Sequence, residues 1–470
     1  MRLFVALYFL SLGVFAQNTL HPVSSGYRYP TDPKVAANLE NWRDQKFGMI
    51  IHWGIYAVPG IVESWSICNE DWIERDSTVR YDDYKRWYWS QSEKFNPVRF
   101  NPEQWAAAAK SAGMRYLVFT TKHHDGFNLF DTRYSDYKIT AGPFKDHPRA
   151  NVTRHVFDAF RKEGMLIGAY FSKPDWHSQY YWWDKYATPD RNVNYDIRKH
   201  PWRWNKFREF THNQINELTS EYGRVDILWL DGGWVRPRST VNEEVLSWGA
   251  PIPDFDQEID MPKVAAIARK NQEGILVVDR TVHGEYENYR TPEQAIPTGK
   301  SDDPWESCIT LGGAWSYVPG DRFKSAEWVV HTLVEIVAKG GNLLLGVGPT
   351  PEGELLPVQV ERLEEIGRWL EKNGEAIYGT RTVDPYKSGN IYFTRAKDQG
   401  RFAIRLGHTP LEKTVSWEGN PPRAGSAVHV LGEGFQVQWK TEGNTTTVTL
   451  PEKSLEKLRQ EPAITFKFEE

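Results

Sequence analysis

Cysteine is scarce in this chain of 470 residues: Cys68 and Cys308 are its only two, 240 positions apart. Two cysteines cannot form a structural zinc site alone, and neither Cys-x-x-Cys nor His-Glu-x-x-His spacing occurs, so no metal framework is written into the sequence. Stability must come from packing rather than from a disulfide scaffold. Charge of one sign is also lacking, since 57 Lys and Arg face 62 Asp and Glu for a net charge of −5. That balance gives no electrostatic case for nucleic acid or an anionic membrane surface as partner. Beyond the first 16 residues no apolar run approaches the roughly 20 residues that span a bilayer, and there is no internal repeat or low-complexity tract.

What is abundant is aromatic: 21 Trp, 22 Tyr and 22 Phe against 5 Met. Rings fill cores, but Trp and Tyr also stack on the C–H faces of sugars while a polar edge stays hydrogen-bonded, which makes a carbohydrate-active protein the first expectation. Met1–Ala16 pairs an early Arg with a short apolar run ending in Val14-Phe15-Ala16. This is the pattern of a cleavable secretory signal, with a membrane anchor as the rival reading, and it predicts an exported protein. Sequons at Asn151 and Asn444 matter only in a glycosylating host.

Residues 17–378 read as one α/β domain. Strand-like apolar runs at Phe47–Trp53, Tyr116–Thr121, Leu166–Phe171, Val225–Leu230, Ile275–Val278, Trp305–Thr310 and Leu343–Val347 alternate with helical patterns near Pro102–Ala112, Val152–Glu163, Lys206–Glu221, Met261–Asn271 and Ser325–Ala338. Titratable residues follow strand after strand: His52, then Lys122-His123-His124-Asp125, Ser172-Lys173, Asp231-Gly232-Gly233 and Asp279-Arg280. Parallel strands that deliver chemistry to one face predict a (β/α)8-like, TIM-type barrel with a cryptic eighth strand. The doubly wound rival lacks its Gly-x-Gly-x-x-Gly turn. Residues 379–470 change to short alternating runs at 390–394, 401–405, 428–431, 435–439, 445–450 and 463–468, which predicts a C-terminal antiparallel β-sandwich.

Asp231 follows an apolar strand and precedes two glycines, a placement that suits a nucleophile at a sugar's anomeric carbon and equally suits a turn or helix cap. His52, His123 and His124 can hydrogen-bond several hydroxyls of one monosaccharide. A metal held by the same histidines is the alternative, against which strand alternation would send His123 and His124 to opposite sides. The loop 284–293 offers Glu285, Glu287 and Glu293 downstream of Arg280 as candidate general acids. Retention needs the two carboxyl groups roughly 5–5.5 Å apart and inversion roughly 6.5–9.5 Å.

Taken together these segments resemble the α-L-fucosidases of glycoside hydrolase family 29. The resemblance rests on Lys46-Phe47-Gly48-Met49-Ile50-Ile51-His52-Trp53-Gly54, Thr121-Lys122-His123-His124-Asp125-Gly126-Phe127, Leu228-Trp229-Leu230-Asp231-Gly232, Val278-Asp279-Arg280, Trp305-Glu306-Ser307-Cys308, the Gly-rich stretch 340–349 and Asn373-Gly374-Glu375-Ala376-Ile377-Tyr378, in that order over about residues 35–380. It implies exo-hydrolysis of terminal α-linked L-fucose with retention, without metal or organic cofactor, on fucosylated oligosaccharides or glycoprotein glycans. It further implies Asp231 as nucleophile, Glu293 or its rival Glu287 as acid/base, and His52, Trp65, His123, His124, Tyr170, Trp229 and Arg280 as substrate contacts. Many members carry a Glu-Trp pair after the first strand, where this chain reads Glu63-Ser64-Trp65. Glu306 and Cys308 fall in a signature segment, with Cys308 expected to be a packing residue. Phe47, Trp234 and Trp315 are candidates to receive the sugar's methyl group, and Trp53, Trp65, Trp229, Trp234 and Trp315 are candidate pocket walls. A fucose-binding protein without chemistry and a galactosidase on the same scaffold are the alternatives.

Overall fold

The computed structural model describes residues 27–397, 400–407 and 409–470; the expected signal at Met1–Ala16 lies outside them. Seven parallel strands form the first sheet: β1 (Phe47–Ile51), β2 (Tyr116–Lys122), β3 (Leu166–Ser172), β4 (Ile227–Asp231), β5 (Leu276–Asp279), β6 (Glu306–Thr310) and β7 (Asn342–Val347). Nearly every residue in them is buried, as expected of strands covered on both faces. The helices outside them are α1 (Pro33–Gln45), α2 (Tyr81–Trp89), α3 (Pro102–Ser111), α4 (Val152–Lys162), α5 (Pro201–Glu221), α6 (Glu243–Ser247), α7 (Met261–Asn271), α8 (Ala326–Ala338) and α9 (Pro357–Asn373). Their starts follow local chemistry. Asn101, Asp260 and Ser325 each accept a backbone N–H of the helix they open, and proline stands first in α3 and second in α7.

The strand order is β5-β4-β3-β2-β1-β7-β6, so the sheet curls round until β7 pairs with β1 and leaves one place between β5 and β6. No helix lies between those two strands. The place is taken by the irregular segment 287–294. On one side it meets β5, where Asn288 N–H donates to Val277 O at 2.9 Å and Val277 N–H donates to Asn288 Oδ1 at 2.8 Å. On the other side Cys308 N–H donates to Pro292 O at 3.0 Å and Gln294 N–H to Cys308 O at 2.9 Å. The cryptic eighth strand is therefore a kinked filler; its proline and broken apolar pattern, Asn288-Tyr289-Arg290-Thr291-Pro292-Glu293, explain why it does not read as a strand.

The second sheet is antiparallel, with β8 (Lys387–Ser388), β9 (Ile391–Arg395), β10 (Gly400–Leu406), β11 (Thr414–Glu418), β12 (Val428–Val430), β13 (Phe435–Glu442), β14 (Thr445–Thr449) and β15 (Ala463–Glu469), in the order β11-β14-β13-β12-β15-β10-β9-β8. The two expected faces belong to one continuous sheet. Long β13 pairs with β12 at one end and β14 at the other, and the outer strands meet where Glu418 N–H donates to Ser388 Oγ at 3.0 Å. Trp417, Phe393 and Phe466 fill its interior. This module docks on the helices behind β7: Trp369 Nε1–H of α9 donates to Ala463 O at 2.9 Å, and His331 of α8 bonds Pro462 O at 2.7 Å. No helix among the described residues is long and apolar enough to cross a membrane.

Candidate active site

The carboxyl ends of β1 to β5 converge on Asp231, the last residue of β4. Gly232 makes the turn that follows: its φ is 91°, and a Cβ there would lie 2.3 Å from Pro174 Cδ, so the Asp-Gly pair is a steric requirement. Tyr170 of β3 donates its hydroxyl to Asp231 Oδ2 at 2.7 Å, Arg280 Nη1 donates to Oδ1 at 2.8 Å, and His124 Nε2 stands 3.6 Å from Oδ2. Burial by itself would favour the protonated acid. The Arg280 guanidinium, His124, the Tyr170 hydroxyl and the Gly232 N–H outweigh it and hold the carboxyl far below the usual carboxylate range. Asp231 is therefore an anion at any pH the protein meets, and its side chain keeps 17% exposure toward the pocket.

Arg280, just past β5, forks between two carboxylates. Its Nη2 donates to Glu293 Oε2 at 2.9 Å while Nη1 serves Asp231. Nε is anchored on Thr291 Oγ1 at 3.0 Å, and the guanidinium lies 4.6 Å from the centre of the Trp229 ring. Carboxylates on the two arms of one fork lie at most roughly 8 Å apart, which takes in the retaining separation and only the lower part of the inverting range. Glu293 sits on the segment filling the eighth place; its Oε1 accepts from Trp315 Nε1–H at 3.1 Å and its side chain is 28% exposed.

Glu287 goes elsewhere. It is 2% exposed, and its Oε2 is bonded to His283 Nδ1 at 2.7 Å, whose Nε2 reaches Glu244 Oε2 of α6, also at 2.7 Å. Of the two glutamates weighed as acid/base, the fold brings Glu293 to the Arg280 fork and ties Glu287 into this separate clasp. The difference follows from where the segment changes partner: Glu287 and Asn288 pair with Val278 and Val277 on the β5 side, whereas Arg290 and Glu293 pair with Trp305 and Cys308 on the β6 side.

The three imidazoles meet above the floor. Ring centres lie 4.3 Å apart for His123–His124 and 5.7 Å for His52–His123. The expected divergence of His123 and His124 does not occur, because both follow the end of β2 in a turn where strand alternation no longer applies. His123 Nδ1 is bonded to Ser64 Oγ, and His124 Nδ1 to Ser172 Oγ at 2.6 Å. Burial pushes all three rings down, His123 to about 4, so they are neutral hydrogen-bonding groups near pH 7. One atom each of His123, His124 and Asp231 lies within 4.8 Å of the others, a spacing a metal could use. A dication there would face the Arg280 guanidinium, already bonded to the same carboxylate, so the donor set suits a neutral polar ligand better.

Aromatic rings wall the pocket. Trp315 tilts over His52 at 4.9 Å, and Tyr170 stacks on Trp229 at 5.2 Å. Trp65, Trp176 and Trp234 crowd His124 at 5.3, 5.1 and 5.0 Å. Two expected wall residues are not there. Trp53 is buried in the core against Phe95, Phe100 and Trp105, with its N–H on Thr350 O; Phe47, the first residue of β1, lies in the core at the opposite end of the strand. Glu306, inside the barrel, accepts from Tyr116 OH at 2.6 Å and Trp229 Nε1–H at 3.2 Å, and burial raises its carboxyl to about 7. Cys308 is buried with its thiol pushed up by burial, 3.8 Å from Arg280 Nη2. Glu63 is buried as well, and its Oε1 accepts the Ser316 N–H at 3.1 Å, which fixes the loop bearing Trp315.

Sequence reading missed the supports. Ser64, Ser172 and Thr291 orient His123, His124 and Arg280, and Arg191 covers the faces of Trp65 and Trp234 at 4.8 and 5.1 Å. Ser64 and Ser172 were at least legible as neighbours of named motifs; Arg191 sits in an unpatterned loop and carries no local signal.

Comparison with known proteins fits this geometry. The family described as Alpha-L-fucosidase matches residues 14–375. Human tissue alpha-L-fucosidase is 28% identical over 463 residues, covering 93% of this chain and 91% of its own. Among solved structures, alpha-L-fucosidase isoenzyme 1 from Paenibacillus thiaminolyticus superposes with a TM-score of 0.74 at 29% identity, over 93% of this chain and 99% of that one. Thermotoga maritima alpha-fucosidase in complex with a mechanism based inhibitor gives a TM-score of 0.71 at 28% identity, over 94% of this chain and all of that one. With the family match running through the barrel strands and every residue of the Asp231 site, the chain belongs to the alpha-L-fucosidase family of glycoside hydrolases.

Proposed function

We propose that this protein is a retaining exo-α-L-fucosidase that releases terminal α-linked L-fucose from glycans through a covalent intermediate on Asp231. The observation that carries the reading is the Arg280 fork, which holds a permanently ionised Asp231 and a solvent-reachable Glu293 at one pocket floor. In the first step Asp231 attacks the anomeric carbon, the bond from that carbon to the aglycone oxygen breaks, and Glu293 gives that oxygen its proton. The anomeric carbon is then an ester of Asp231. Its charge is gone, so the guanidinium is left to the carboxylate that Glu293 has just become. In the second step this carboxylate takes a proton from water as the water oxygen attacks the same carbon, and fucose leaves with its configuration retained.

His52, His123 and His124, neutral and fixed by serine hydroxyls where these reach, are the hydrogen-bonding groups for the sugar hydroxyls, and Trp229 and Tyr170 form the floor. Trp234 and Trp315 are the rings placed to meet the C6 methyl. No step calls for a metal or organic cofactor. The signal pattern of Met1–Ala16 supports export as the setting.

The test is an azide-rescue series on Glu293→Ala and Glu287→Ala with an activated aryl fucoside. Rescue of Glu293→Ala alone, giving a fucosyl azide of retained configuration, is expected. Rescue of Glu287→Ala alone would reassign the acid/base, and fucose binding without turnover at any pH in the unmutated protein would make it a binding protein.

A further inference from the structure

Four tryptophans are exposed by 40% or more: Trp72, Trp87, Trp202 and Trp328. Single exposed rings are common and call for no explanation. The contacts of three fit that view, since Trp87 lies by Tyr84, Trp202 by Arg203 and Trp328 by Lys324. Trp72 is different. Its ring, 46% exposed, lies 5.1 Å from Trp65 at a 53° tilt, and Trp65 is the wall ring that meets His124. The aromatic surface thus continues from His124, beside Asp231, through Trp65 to an open indole face about one sugar ring further out.

That face is held in place. Trp72 Nε1–H donates to Glu70 Oε2 at 2.9 Å, and both Glu70 oxygens are gripped by Arg191, through Nε and Nη2. The same Arg191 covers Trp65 and Trp234, and its carbonyl oxygen accepts from Trp176 Nε1–H, Trp234 Nε1–H and Tyr181 OH at 3.2, 3.2 and 3.0 Å. An exposed indole would ordinarily sample several rotamers; here a nearly buried ion pair fixes its edge to the wall of the pocket. Because Glu70 neutralises Arg191, the platform offers a flat apolar face without net charge.

We propose that Trp72, locked by the Glu70–Arg191 pair, is an aglycone subsite that stacks on the C–H face of a neutral hexopyranose, the hexose or N-acetylhexosamine to which fucose is attached. This rests on the fucosidase reading and adds to it a recognition site for the leaving group. Stacking of this kind contributes about three- to tenfold in binding.

The experiment compares kcat/KM for α-L-fucosyl fluoride, whose leaving group has no ring to stack, with kcat/KM for fucosyl disaccharides of neutral hexoses and N-acetylhexosamines in each linkage isomer. In Trp72→Ala the ratio of the best disaccharide to the fluoride is expected to fall about fivefold. Trp72→Phe keeps a flat ring but gives up the N–H that Glu70 holds, so its ratio is expected to lie between those of Trp72→Ala and the parent, and Trp328→Ala is the remote control with an unchanged ratio. A ratio unmoved in Trp72→Ala, a Trp72→Phe ratio no higher than that of Trp72→Ala, or a wild-type protein that cleaves the fluoride but no neutral disaccharide would each overturn the subsite while leaving the fucosidase reading intact. Failure to cleave the fluoride at all would remove the fucosidase reading and the subsite with it.

Discussion

The clasp Glu244–His283–Glu287 joins α6, in the loop after β4, to the loop after β5, and so ties together the segments that present Asp231 and Arg280. Its hydrogen bonds to Glu244 and Glu287 raise the His283 imidazole from 6.5 to about 9. A raised folded-state value means that the folded protein binds this proton more tightly than the unfolded chain. The stabilisation is therefore complete below about pH 6.5 and is lost as pH rises through about 9. The shift corresponds to on the order of 3 kcal/mol, with the side chain 22% exposed and only lightly screened. Glu244 carries the opposite sign at the acid end: held below its usual value by the His283 hydrogen bond, it contributes stability above about pH 4.5 that fades as pH falls. Unfolding entropy of about 2 cal/mol/K per residue amounts to about 1 kcal/mol/K for 470 residues. His283→Gln should then melt about 3 °C below the unmutated protein at pH 6, with the gap closing to under about 1 °C at pH 10. Thermal unfolding of both proteins across that range, read as their difference so that other titrating groups cancel, measures it. A gap that stays constant with pH would refute the argument, because it would mean the histidine acts by packing rather than by charge.

Other consequences follow from the same geometry. Asp231→Ala removes the proposed nucleophile and should lower kcat on aryl fucosides by about 10⁴ or more; it also takes a carboxylate from buried Arg280, so the melting temperature should fall below that of the parent. Arg280→Lys keeps a charge but loses the fork, so kcat/KM should fall about 100-fold; a loss under about threefold would show that bridging Asp231 and Glu293 is dispensable. Gly232→Ala must accept φ 91° and a clash with Pro174, and its expected cost of about 2–4 kcal/mol should appear as a drop in denaturant midpoint. Glu306, whose carboxyl rises to about 7, keeps its proton longer in the folded state, so stability falls as pH rises from about 4.5 to about 7 and stays lower above; Glu306→Gln should flatten that part of the stability profile.

The strands were legible because parallel strands buried on both faces read as unbroken apolar runs, and seven of them match within two residues at each end. Helices α1, α2, α6 and α9 left weaker traces: α2 and α6 are short and mostly exposed, and α1 and α9 alternate charge with apolar residues beside motifs that drew the eye first. Asp231, Arg280 and the imidazoles were readable from their places at strand ends, where the fold has little freedom in aiming them. The pairing of Ser64 and Ser172 with the imidazoles was not, although both residues neighbour the motifs, and neither was the Glu70–Arg191 pair, because partners 48, 59 or 121 residues away meet only after the loops have folded. Trp53 misled for a related reason. It follows His52 directly, yet one step along the chain turns it from the pocket to the outer core.

The irregular segment in the eighth place ties the fold to the chemistry. In a fully regular barrel every strand end points its side chain by the same alternation, and a residue that must reach a leaving group has little choice of position. Here the segment 287–294 is held to β5 through Asn288 and to β6 through Arg290, Pro292 and Gln294, and Thr291 Oγ1 accepts from Arg280 between those fixed points. Glu293 is thus placed opposite Cys308 by a short run in register with β6, not by a strand paired on both sides. Its carboxylate answers to the two side chains that hold it, Arg280 and Trp315. A replacement of Pro292 would then be expected to move Glu293 relative to the fork while Asp231, on regular β4, stays put, so kcat on poor leaving groups, which need protonation, should fall more than kcat on fucosyl fluoride. Equal losses on both would mean that the kink positions the nucleophile and not the acid.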